Sequence, residues 1–142
     1  IYFVRFRAHL HSDHGFGPDR SEATARLGSL ERARVPFALH SDFNLVVTPL
    51  SPLLAAWCAV NRIGADGETV LAPGERISVD SALRAITIDA AYILNRDDRL
   101  GSIEVGKHAD FTVLDDDPYQ VHPEDLRNIE VHDTVLAGEP TN

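Results

Sequence analysis

Val35-Pro36-Phe37-Ala38-Leu39-His40-Ser41-Asp42 is a short apolar tract that ends in a polar tip and passes straight into Phe43-Asn44. This is the pattern of a buried parallel strand that delivers a catalytic or metal-binding group to the mouth of an α/β barrel. With a period of two, Pro36, Ala38, His40 and Asp42 share one side of the strand, and Val35, Phe37, Leu39 and Ser41 share the other. His40 and Asp42 therefore point the same way, at the strand end where such enzymes do their chemistry. Ser and Asp also favour helix N-caps, so a capping role for the same tip stands beside the site reading.

Working outward, Tyr2, Phe3, Val4 and Phe6 favour a strand over Ile1 to Phe6. The polar stretch from His9 to Asp19, punctuated by Gly15, Gly17 and Pro18, reads as a loop. Ser21 caps a helix on which Ala23, Leu27 and Leu30 fall at helical spacing. Ser51-Pro52 starts a further helix carrying Leu53, Leu54, Trp57 and Val60 and stopping near Gly64. Ala65 to Glu75 reads as an exposed loop. Ser78 opens the clearest helix, in which Val79, Leu83, Ile86, Ala90 and Ile93 trace one stripe ending near Asn95. Gly101 to Gly106, Asp110 to Asp115 and Val131 to Ala137 read as short strands, with a helical or looped piece at Pro123 to Asn128. The order predicts an α/β fold, in which residues 1–99 supply the last units of a parallel body and residues 100–142 a small β appendage.

Composition narrows the function classes. With 44% hydrophobic and 25% charged residues, 142 residues suit about one packed, soluble domain. Thirteen Lys and Arg against 22 Asp and Glu give a formal charge of −9, which argues against a nucleic-acid partner. No apolar run reaches the roughly 18 residues of a membrane span, and no signal peptide opens the chain, so a cytoplasmic protein without a membrane role is expected. Cys58 is the single cysteine, and its apolar neighbours make it a buried thiol. The absence of Met and the apolar opening Ile1-Tyr2-Phe3-Val4 read as the C-terminal piece of something longer.

The tract from Ser78 to Pro118, SVDSALRAITIDAAYILNRDDRLGSIEVGKHADFTVLDDDP, resembles the C-terminal signature of the amidohydrolase superfamily. Ala90-Ala91, Gly101-Ser102-Ile103 and Gly106-Lys107-His108-Ala109-Asp110 carry the likeness. Gly17-Pro18-Asp19-Arg20 and His40-Ser41-Asp42 extend it toward the amidohydrolase-3 branch, the YtcJ-like metal-dependent hydrolases, over roughly Tyr2 to Gly138. The resemblance implies a distorted (β/α)8 TIM-type barrel with a β-sandwich assembled from both chain ends. Val35 to Ser41 would be the eighth barrel strand and the C-terminal strands part of the sandwich. It also implies that Asp42 is both a metal ligand and the catalytic acid/base, acting beside one or two divalent ions, with Zn²⁺ the first choice. The substrate would be a small molecule cleaved at an amide or other C–N bond.

The family's other ligands, a first-strand His-x-His pair, a mid-barrel bridging group and two later His, have no counterpart in this sequence. Most ligands are then expected outside this chain, on the missing N-terminal portion of the same protein. Because a barrel takes about 250 residues, the piece is expected to be inactive alone. A homo-oligomer is a further expectation. The competing reading is a non-catalytic, truncated or degenerate module of the same family. His9, His11 and His14 imitate a metal-binding His-x-His, but they precede Gly15-Phe16-Gly17-Pro18 in a loop and read as an entrance lining. His40 either hydrogen-bonds a metal ligand from beneath the metal or is a core histidine, with the core preferred. Trp57 and Phe43 read as packing residues, and Asp115-Asp116-Asp117 before Pro118 as a solvated turn.

Overall fold

A computed structural model describes residues 1–6, 15–41 and 50–141 of the chain. Its centre is helix α4 (Pro52–Asn61). The Ser51 side chain caps it by accepting from the Leu54 N–H at 3.2 Å, and Pro52 opens the first turn, where its missing N–H costs nothing. Leu53 and every residue from Ala55 to Asn61 are buried, so this helix is surrounded on all sides rather than lying on a surface. It ends at Arg62, whose left-handed backbone (φ 57°, ψ 30°) turns the chain away. Trp57 donates its indole N–H to the Glu124 carbonyl at 2.7 Å, and the guanidinium groups of Arg5 and Arg127 lie 4.9 and 4.3 Å from its ring centroid.

Around α4 pack α1 (Tyr2–Phe6), α5 (Val79–Ala85) and a 3-10 turn (Pro123–Asn128) that contributes the fully buried Leu126. The remaining helices are α2 (Pro18–Glu22), α3 (Leu27–Arg32) and α6 (Ile88–Ile93). The sheet is antiparallel, in the order β1 (Phe111–Leu114), β2 (Val131–Leu136), β3 (Glu139–Pro140). Phe111 pairs with Val135 and Val113 with Asp133, and a bulge follows Val113. The described residues thus form an α/β structure with one small three-stranded antiparallel sheet, which lies within residues 100–142.

Several sequence expectations are corrected. Ile1 to Phe6 is expected as a strand, yet Tyr2–Phe6 is helical. Strand propensity needs a pairing partner to be realised. Here the i, i+4 pair Tyr2 and Phe6 stacks edge to face at 5.9 Å instead, with Tyr2 and Val4 buried. Residues 35–41 carry no ladder among the described residues; Leu39 instead donates its N–H to the Ala85 carbonyl at 3.1 Å, and Phe37 and Leu39 lean on the core. The helix expected from Ser21 is two short helices separated at Ala23 to Arg26, where Ala25 has φ 47°.

The helix from Ser78 keeps its start, with the Ser78 hydroxyl accepting from the Ser81 N–H, but it breaks at Thr87. The run Ile86-Thr87-Ile88 is β-branched throughout, and the Thr87 hydroxyl donates back to the Leu83 carbonyl at 2.7 Å. Gly101 to Gly106 is a turn, not a strand. Gly101 has φ 87°, and a Cβ there would lie 2.7 Å from the Ile88 Cα and 2.8 Å from the Ala91 Cβ, so only glycine lets this turn rest on α6.

Candidate functional site

The His40-Ser41 tip borders a cleft of about 180 Å³. Leu39, His40 and Ser41 line it from this segment, Leu50 to Pro52 and Ala55 from the start of α4, Tyr2 from α1, and Ile86 with Ala90 from the α5–α6 joint. The lining is mostly apolar, with hydroxyls from Ser41, Ser51 and Tyr2 and one imidazole. Tyr2 donates its hydroxyl proton to the Ser51 carbonyl at 2.7 Å. Burial pushes its pKa up to about 12, the nearby Cys58 adds to the rise, and the Ser51 hydrogen bond opposes it. At neutral pH Tyr2 is therefore a neutral donor that ties α1 to the start of α4, not a proton shuttle.

What aims the tip is a polar frame under α3. Glu75, in a 3-10 turn (Pro73–Glu75), accepts from the Ser29 N–H at 2.7 Å and the Ser29 hydroxyl at 2.6 Å, and Arg32 reaches it at 3.4 Å. Burial works to raise its pKa, but these Ser29 bonds, with Arg32 and Arg26, outweigh it and hold the carboxyl below its ordinary range. Glu31 accepts from the N–H and hydroxyl of Ser78 at 3.0 and 2.6 Å, joining α3 to the start of α5. Val35 then donates its N–H to the Leu30 carbonyl at 3.0 Å, so the segment leaves α3 in a fixed direction.

His40 is exposed at the cleft, which overturns its preferred reading as a core histidine. Asp42, the candidate catalytic and metal-binding residue, lies outside the described residues, as do His9, His11, His14 and Phe43. Ser41, its immediate neighbour in sequence, lines the cleft. Trp57 packs in the core, and Cys58 is buried with it. Asp117 accepts from the Tyr119 N–H within a turn, and Asp115 pairs with His132 at 3.1 Å, both side chains largely in solvent.

Sequence reasoning missed Tyr2, Ile86 and Ala90 as cleft residues, and missed the buried charges Arg62 and Glu75. Charged residues beside apolar runs were the only local signal for the last two. Among the described residues no three His, Cys, Asp or Glu side chains are grouped to hold a metal ion, so these residues do not make a metal site by themselves. No helix among them is long and apolar enough to cross a membrane.

Residues 3–141 match the amidohydrolase family, and the chain belongs to it. It is 40% identical over 88 residues to an N-substituted formamide deformylase of Arthrobacter pascens, covering 62% of this chain and 16% of that protein. It is 43% identical over 63 residues to an imidazolonepropionase of Bacteroides fragilis, covering 44% of this chain and 15% of the relative. Among solved structures, a zinc-bound adenosine deaminase from Xanthomonas campestris superposes with a TM-score of 0.61 at 28% identity, covering 89% of this chain and 28% of that one. The chain thus spans less than a fifth of the length of these two curated relatives.

Proposed function

We propose that this chain is the C-terminal part of a metal-dependent amidohydrolase that cleaves an amide or other C–N bond in a small molecule, and that it is inactive alone. The family match across residues 3–141 carries this reading. Deformylation of an N-substituted formamide and deamination of adenosine, the reactions for which two of the similar proteins are named, both break a bond from carbon to nitrogen. In this reading residues 1–99 complete a barrel and residues 100–142 belong to its β-sandwich. Asp42 is both a ligand and the proton acceptor for the attacking water, and it returns that proton to the leaving nitrogen. A divalent ion such as Zn²⁺ supplies an acidified water and a polarised carbonyl when bound. Most of its ligands come from outside this chain. The cleft at Ser41 and His40 then lies beside the reacting centre and takes the apolar part of the substrate. A cytoplasmic setting suits the unpaired, buried Cys58.

The test is expression of the complete coding sequence, with measurement of bound metal and of hydrolysis of an N-substituted formamide, with and without Asp42→Asn. The substitution keeps size and removes the proton acceptor, so turnover falls by about a hundredfold or more. Unchanged turnover in the variant refutes the role of Asp42, and turnover by the 142-residue chain itself refutes its inactivity.

A further inference from the structure

Arg62 is wholly buried, yet its guanidinium ends on backbone carbonyls rather than a carboxylate. Nε donates to the Leu71 carbonyl at 2.6 Å, one terminal nitrogen to Ala25 at 3.0 Å, and the other to Thr24 at 2.7 Å. A planar fork can serve three acceptors at once, which a lysine ammonium on its flexible stem cannot reproduce. A buried cation is costly to place, and removing it takes a donor away from each of three carbonyls, so the arrangement holds its partners firmly.

Thr24 and Ala25 form the link between α2 and α3, where the backbone needs support because Ala25 has φ 47°. From Ala25 the chain runs through α3 to Val35 and on to the His40–Ser41 tip. Arg62 itself sits at the end of α4, whose first turn lines the same cleft. One side chain thus ties the far end of the core helix to the element that carries the tip.

We propose that Arg62 is a positioning residue for the cleft: its fork on Thr24 and Ala25 fixes α3, and through α3 the placement of His40 and Ser41. The idea rests on the reading that this tip belongs to the site, but its test does not depend on hydrolysis.

Amide hydrogen exchange followed by mass spectrometry is measured on the full chain, with Arg62→Lys and Arg62→Met. Exchange in peptides spanning 24–41 rises about tenfold or more in both variants, while peptides covering β1 and β2 keep their protection. Should Arg62→Met fail to fold, Arg62→Lys is read alone. Unchanged exchange across 24–41 overturns the proposal. So does an equal rise in β1 and β2, which marks general loss of stability instead of local positioning. In the complete enzyme, Arg62→Lys lowers kcat by about tenfold with metal content unchanged. A complete protein without hydrolase activity would sink the functional reading and leave the exchange result standing.

Discussion

Replacing Gly101 with alanine tests the seating of the Gly101-to-Gly106 turn on α6. Two costs combine at this position. The backbone has φ 87°, a region L-residues enter at about 1–2 kcal/mol. The added methyl also falls 2.7 Å from the Ile88 Cα and 3.1 Å from the Thr87 carbonyl, both backbone atoms that can move only if α6 moves, and such overpacking costs about 1–3 kcal/mol. The sum is about 2–5 kcal/mol, or roughly a 10 °C fall in Tm for a chain of this size. Thermal melts followed by far-ultraviolet circular dichroism measure it, with two controls that separate the costs. Gly67 has φ 78° but nothing within 4 Å of an added Cβ, so Gly67→Ala carries only the backbone cost. Gly74 has neither a positive φ nor a near neighbour, so Gly74→Ala stays within about 1 kcal/mol of the parent. If Gly101→Ala melts where Gly67→Ala melts, the collision with α6 is not real and the reasoning fails.

Glu75 sets an acid dependence. Its folded pKa is lowered because the Ser29 bonds and the Arg32 and Arg26 charges outweigh burial, so its stabilisation is full above the unfolded carboxylate pKa and is lost as pH falls through the folded one. Glu75→Gln therefore flattens the fall of Tm below about pH 4, and parallel curves for variant and parent would contradict this. Burial pushes the Cys58 thiol up to about 12, against the opposing positive charges of Arg5, the N-terminus and Arg127. At pH 8 a thiol reagent leaves the folded chain unlabelled and modifies the unfolded chain in urea; rapid labelling without urea would show that the α4 core is open.

Local chemistry made some of this legible from sequence. Ser51-Pro52 is a cap plus a first-turn proline, and both act within four residues, so the start of α4 is read directly. β1 and β2 fall inside their expected spans because their β-rich runs pair with each other, within the chain. Tyr2–Phe6 is helical where a strand is expected, and residues 35–41 have no pairing partner among the described residues; a strand is defined by its neighbour, which neither tract states by itself. The family signature around Gly101 was recognised as a pattern, but its cause, the approach to Ile88 and Ala91, is a contact that no periodicity carries. The same holds for Glu75 with Ser29, which lie 46 positions apart. At the site, the polar tip was readable because it interrupts an apolar run. Tyr2, Ile86 and Ala90 join it only in space, and Asp42 lies outside the described residues.

Trp57 is the single indole of the chain, and it is flanked by a guanidinium from the opening helix and another from near the C-terminal strands. Its fluorescence is therefore a built-in optical gauge of whether the two ends of the polypeptide are both docked. Fraying at either end removes a cation from the same ring, so one emission band reports on both.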